Sequence, residues 1–284
     1  MTERLADVSA RIGSIRQLGT VMNAMRGIAA ARAQQASAQL AAVDRYAATV
    51  GRAIAQALVL QPPARHAPAR NAAHSGLVLF CAEQGFAGAF SQRVLDAAGA
   101  DLSTATLFVA GTRGAAALAE RQGNATWQGI IPSHSPGIPR FASTIADAVS
   151  ASFAKGEIDR LDVLFCQWEL GKAIRVVRQS LLPLDPAAFP APANAAAPLL
   201  NLTPAALLDA LTPDYVHAQL CRAALHSFAA ENEARMEAMA AAHTHTERQL
   251  ATLQATERRV RQEEITAEIL ELAAGETASR ERAV

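Results

Sequence analysis

Gly85-Phe86-Ala87-Gly88 follows a short apolar run, Gly76–Cys81, and precedes a helical stretch that carries Phe90, Val94 and Leu95. A strand, a glycine turn and a helix in that order can cradle a phosphate on backbone N–H groups. Here there are two glycines rather than the three of a dinucleotide fingerprint. Gly171-Lys172 lacks both the upstream glycine and the hydroxyl of a Walker loop. The turn therefore reads as structural before it reads as a nucleotide site. His243 and His245 stand two apart on a helix, so their rings diverge and make a poor metal pair. His243 falls on a packing seam, where a polar residue sets register. Cys81, Cys166 and Cys221 are widely spaced and odd in number, which reads as buried free thiols in a reducing compartment. No nucleophile, base and acid share a supporting spacing. The chain is therefore expected to hold no catalytic residue, no metal and no cofactor.

Charge narrows the classes further. Arg11, Arg16, Arg26 and Arg32 run without an intervening acid, a face that suits nucleic acid. The whole chain, however, balances 26 basic against 26 acidic residues, which argues against general nucleic-acid binding. No apolar run approaches the ~18 residues a membrane span needs. The start, Met1–Leu5, has no apolar signal core.

Two long helical stretches must position whatever the chain does. From Tyr215 to Ala274 there is neither proline nor glycine. Leu225, Ala229, Met236, Met239, Leu250, Leu253, Val260 and Ala267 recur there at heptad spacing, the seam of a coiled coil. Met1–Gln61 also lacks proline, and Leu5, Val8, Ile12, Ile15, Met22, Ala29, Ala36, Leu40, Val43, Ala47, Val50 and Ile54 keep the same period. Met22, Met25, Met236 and Met239 read as shaft packing rather than as a cofactor box. The basic first stretch and the glutamate-rich last one predict opposite charges facing each other. An antiparallel helical hairpin follows, with everything between inserted at one end.

The insert alternates strand and helix. Strands are predicted over 76–81, 105–110, 127–131, 161–168 and 174–182, the last pairing back as a hairpin, with a helix over 141–153. That pattern gives a small Rossmann-like, mainly parallel α/β domain. The expected boundaries are 1–60 for the N-terminal coiled-coil helix, 61–75 for a linker, and 76–182 for a separate α/β domain. An extended connection and short helix take 183–211, and the C-terminal coiled-coil helix takes 212–284. Thr203-Pro204 and Thr212-Pro213 each carry helix-start chemistry. These residues alone support three functions: a mechanical or scaffolding part, a helical-hairpin nucleic-acid binder, and a nucleotide-binding α/β enzyme.

Arg11–Arg32, the turn Gly85–Ala89, Glu231–Met239 and Arg261–Gly275 resemble, in order, four segments of the γ subunit of F-type ATP synthase. Departures fall at Gly13, Gly19 and Asn23, where the family has lysines, at Gln84 in place of an arginine, and at Glu276 in place of an alanine. The resemblance implies a central rotor shaft that couples ion-driven rotation of a c ring to conformational change in catalytic β subunits. It implies α, β, ε and the c ring as partners, with no nucleic acid and no direct membrane insertion. The implied place is the cytoplasmic face of a bacterial plasma membrane. Arg261 and Gln262 match the pair that meets an acidic catch loop of β. Ile265, Ile269, Leu270 and Leu272 would bear on the α/β ring. Asn201 and Asp209 would belong to the foot, facing the c ring and ε.

Overall fold

A computed structural model describes residues 2–60, 74–169, 172–190 and 200–281, with side chains from residue 5 to residue 274 at the two ends. Most of the expected 61–75 linker, the middle of the 183–211 connection, Gly171 and the side chain of Glu276 lie outside the described residues. The elements are α1 (Thr2–Leu60), β1 (Ser75–Phe80), α2 (Phe90–Ala98), α3 (Asp101–Thr104), β2 (Thr106–Ala110), α4 (Thr112–Glu120), β3 (Trp127–Gly129), α5 (Ile138–Ala154), β4 (Arg160–Gln167), β5 (Arg175–Leu182) and α6 (Pro204–Glu281). By contact the chain divides into two compact units, residues 1–28 with 237–284, and residues 29–236.

The first unit is a helix pair. Ile12, Met239, Thr246 and Val260 are buried, and Leu5, Val8, Ile15, Gly19, Met22, His243, Leu250, Leu253 and Glu257 are half-buried. On α6 these positions alternate steps of four and three, a heptad seam. The Ser9 hydroxyl donates to Glu257 Oε1 at 2.9 Å, and the Thr246 hydroxyl donates to Met22 Sδ at 3.4 Å. Partner numbers fall on α6 as they rise on α1, so the pair is antiparallel. Glycine at 19 leaves room for Thr246 beside the α1 backbone; an added Cβ would lie 3.8 Å from its methyl.

The second unit contains the sheet, in the order β3-β2-β1-β4-β5. β1 is central and parallel to both neighbours, with Val78 opposite Phe108 on β2 and Val163 on β4. β5 returns antiparallel, with a register shift at Leu161/Asp162. Side chains alternate across the pleat. Val78, Phe80, Phe108, Val163 and Phe165 face one core with α5 and α6. Leu77, Leu79, Leu107, Val109 and Leu164 face another with α2 and α4.

The sheet is not a separate domain. Val216, Leu220, Ala223, Ala224, Phe228 and Ala229 of α6 and Ala36 of α1 belong to its first core. The reason is area. α5 alone does not cover five strands, and an uncovered apolar face is unfavourable by about 25 cal/mol per Å². One further expectation changes. α6 is one helix through Pro213, so the short helix and the long one are continuous. Proline removes a single N–H there on an exposed face, while the Thr212 hydroxyl donates to the Leu208 carbonyl at 2.7 Å. Outside the basic segment of α1 and the glutamate-rich segment of α6, Asp44 of α1 and Arg222 of α6 form a salt bridge at 2.9 Å. All three cysteines are free and buried. Burial pushes the thiols of Cys81 and Cys166 up to about 12 and that of Cys221 up to about 11, which leaves them protonated and unreactive.

His226 lies between α6 and the sheet, 8 % exposed. Its ring stacks on Phe165 with centroids 5.9 Å apart, and neither ring nitrogen has a hydrogen-bond partner among the described residues. Desolvation pulls its pKa below the ordinary 6.5, aided by Arg222 and opposed by Asp44 and Glu169. The unfolded chain therefore binds the proton more readily. Stability is full above about pH 6.5 and falls as pH drops through 6.5 towards the lower folded value. Thermal unfolding of the purified chain should show a lower midpoint at pH 5.5 than at pH 7.5. His226→Phe, which keeps the stack, should flatten that slope; an unaltered slope would assign it to other groups.

Candidate functional site: a clamped turn and an exposed helix face

Two arrangements are candidates for function, one in each unit. In the second unit the β1–α2 turn is held by α6. Phe86 and Gly88 both have left-handed backbones, φ 62° and 58°, a costly conformation for phenylalanine that the surroundings must sustain. The turn presents its N–H and C=O groups to the helix. Glu231 accepts from the backbone N–H of Glu83 and of Gln84, both at 3.1 Å. Arg235 donates to the Gly85 carbonyl at 3.1 Å and the Gln84 carbonyl at 3.3 Å. One turn of helix separates Glu231 and Arg235, and the two side chains pair directly. Asn232 Oδ1 accepts from Arg235 at 2.9 Å, and its amide donates to the Phe228 carbonyl at 2.8 Å. The side chains of Glu231 and Arg235 are only 4 % and 5 % exposed. From α1, Arg32 donates to Gln84 Oε1 at 3.2 Å.

The neighbouring turn is closed in the same way. Glu83 accepts from the N–H of Thr112, at the start of α4, at 3.1 Å and from the N–H of Ile131 at 2.9 Å. The Thr112 hydroxyl donates to it at 2.9 Å. In open α/β sheets an anionic ligand sits beyond the carboxyl ends of the strands, on these N–H groups. Here the chain's own carboxylates take them. This explains why a Gly-x-x-Gly turn in the right place does not look like a phosphate cradle. The involvement of Glu83, Thr112, Glu231, Asn232 and Arg235 was not apparent from sequence. Beyond the resemblance of Glu231–Met239, the signal that could have found them is a carboxylate and a guanidinium four apart amid Phe228, Ala229, Ala230 and Ala234, an otherwise apolar stretch.

In the first unit the expected contact residues lie on α6. Arg261 and Gln262 are exposed; Arg261 lies 3.9 Å from Glu257, with 63 % of its side chain exposed. Ile265, Ile269, Leu270 and Leu272 are 50, 60, 64 and 75 % exposed. Ile265, Ile269 and Leu272 share one face at steps of four and three, while Glu264 and Ala267 are half-buried on another. A run of exposed large apolar side chains is a candidate interface. Met22 and Met25 are half-buried and Met239 is buried, all as packing residues. In the second unit Met236 is half-buried, and Asn201 and Asp209 are exposed. Asp209 lies in α6 near the cluster of Val50, Ile54, Phe189 and Tyr215. His243 pairs with Glu247 at 3.8 Å along α6. Among the described residues no group of three His, Cys, Asp or Glu side chains is placed to hold a metal. No helix among them is long and apolar enough to cross a membrane.

Comparison with known proteins matches the whole of this architecture. A family model described as ATP synthase fits residues 4–278. An ATP synthase γ chain of Chlorobaculum tepidum is 27 % identical over 292 residues, covering 98 % of this chain and 99 % of its own length. One of Pelodictyon phaeoclathratiforme is 26 % identical over 293 residues, covering 95 % and 97 %. Among solved structures, a rotor chain of the Euglena gracilis mitochondrial ATP synthase superposes with a TM-score of 0.70 at 11 % identity, over 93 % of this chain and 100 % of that one, which supports the fold. The match runs through both helices and the sheet between them, and the chain belongs to the ATP synthase family as a γ chain.

Proposed function

We propose that this chain is the central rotor shaft of an F-type ATP synthase, coupling ion-driven rotation of a c ring to conformational change at catalytic β subunits. The near-full-length γ-chain match, residues 4–278, carries the reading. Its partners are the α and β subunits, ε and the c ring, and its place is peripheral, on the cytoplasmic face of a bacterial plasma membrane. The shaft performs no bond chemistry; ATP is made and hydrolysed on the ring. An asymmetric shaft changes β by differential contact, so each angle favours a different set of open and closed sites. Ile265, Ile269, Leu270 and Leu272 supply the apolar bearing. Asn201 and Asp209 serve the foot.

Arg261 and Gln262 supply the angle-dependent polar contact to the β catch loop. A guanidinium holds a carboxylate bidentately, and an amide both donates and accepts. Both side chains are exposed on α6 and so are available to a partner. Arg261→Ala with Gln262→Ala should leave the helicity of the purified chain unaltered. In the assembled complex it should lower ATP turnover roughly ten-fold, the scale of one lost charge-assisted contact. Wild-type turnover and coupling would return the pair to ordinary surface.

A further inference from the structure

We propose that Glu231 and Arg235 key the sheet to the shaft, fixing the angle between α6 and the sheet so that torque passes from one to the other. The proposal rests on the rotor reading and adds to it the point within residues 29–236 where rotation enters the helix. α6 turns both large side chains, Val216, Leu220 and Phe228, and small ones, Ala223, Ala224, Ala229 and Ala230, to the two cores of the sheet. Apolar burial is non-directional, so it sets the distance between helix and sheet more firmly than the rotation of the helix about its axis. Direction has to come from hydrogen bonds. Gln219 Oε1 accepts from the Gln179 amide on β5 at 3.0 Å, and the Ser227 hydroxyl donates to the Phe80 carbonyl on β1 at 3.2 Å. Both are neutral, and each is a single bond.

The contact at 231 and 235 differs in kind. One carboxylate takes two consecutive backbone N–H groups, and one guanidinium reaches the carbonyls of Gln84 and Gly85. Four bonds to one turn, all charge-assisted, constrain both translation and rotation of the helix at that level. The guanidinium is itself braced by Asn232 at 2.9 Å. Arg32 reaches the same Gln84 from α1, so the turn ties both helices to the sheet. The left-handed Phe86 and Gly88 give the turn the shape this requires. Glu231 and Arg235 are positioning residues: they touch no substrate and act through the angle they hold.

The test uses the complete membrane-bound complex carrying Glu231→Gln, Arg235→Lys or, as a control from the same interface, Ser227→Ala. Glu231→Gln keeps shape but loses charge. Arg235→Lys keeps charge but loses the fork that reaches two carbonyls. The readouts are subunit composition, thermal midpoint, and ions pumped per ATP hydrolysed. A key predicts that the pumping ratio falls at least about three-fold in both key variants, as expected for loss of charge-assisted bonds, and stays at the wild-type level in Ser227→Ala. If Glu231→Gln fails to assemble, Arg235→Lys carries the test. A lowered thermal midpoint with a wild-type ratio in assembled complexes would overturn the key and leave a purely structural clamp. Failure of the wild-type chain to enter the complex would instead overturn the rotor reading.

Discussion

Glu231→Ala is expected to destabilise the purified chain by about 3–5 kcal/mol, the cost of removing one partner of a buried ion pair. Three losses add. The Arg235 guanidinium, 5 % exposed, loses its counter-charge. The N–H groups of Glu83 and Gln84 lose their acceptor. A cavity opens between α6 and the β1–α2 turn. The double variant Glu231→Leu with Arg235→Met should recover much of the loss, because an apolar pair of similar volume often replaces a buried ion pair at little cost. Recovery should stop short of wild type, since the two N–H groups and the carbonyls of Gln84 and Gly85 stay unpartnered. Urea unfolding followed by tryptophan fluorescence in the sheet region gives both numbers. A single-variant loss under about 1 kcal/mol would mean that the pair behaves as a solvated one.

Gly111→Ala should be about as damaging, at roughly 3 kcal/mol or more from strain and overpacking together. Gly111 has φ 108°, outside the range of side-chain-bearing residues, and a Cβ there would lie 2.7 Å from the backbone oxygens of both Cys81 and Ala82. Backbone oxygens in a β1 extension cannot retreat as a flexible side chain does. The neighbouring Gly114 is as tight: its Cβ would meet that of Cys81 at 2.0 Å. The two turns therefore touch backbone to backbone. The N–H groups of Arg113 and Gly114 donate to the Ala82 carbonyl at 3.1 and 3.3 Å. Displacing Gly111 also pulls Thr112 from Glu83. The same unfolding measurement should show Gly111→Ala far below Gly13→Ala, a helical glycine with nothing within 4 Å of its added methyl. Gly13→Ala should stabilise slightly, by up to about 1 kcal/mol. Equal midpoints for the two variants would contradict the packing described.

β1, β2 and β4 were legible because each is a short, mostly apolar run bounded by turn residues. The seam of the first unit was legible because its period is seven. What escaped were the contacts of the helices with the sheet and its turns, whose partners lie far away in sequence. Val216 to Ala234 reads as one side of a coiled coil, yet nearly the whole circumference is buried, because α1 and the sheet press on different faces. Periodicity reports a face only when another face meets water. Glu231 and Arg235 stand out in the sequence only within a segment of family resemblance; their partners lie about 150 positions earlier in the turn. The Asp44–Arg222 pair escaped too, because it lies outside the charged segments Arg11–Arg32 and Glu231–Glu271 that stand out in the sequence. The contact residues at 261–272 were legible only through family resemblance, since exposed apolar residues at the end of a helix do not name what covers them.

A rotor shaft must turn inside a catalytic ring. The most direct measurement is single-molecule rotation. The chain would be assembled with the α and β subunits of its own complex, the ring fixed to a surface and a probe attached at a cysteine placed on the exposed Asn201. With ATP present, unidirectional rotation of the probe that stops when ATP is withdrawn is the predicted result. A probe that stays fixed while the same ring hydrolyses ATP would contradict the claim.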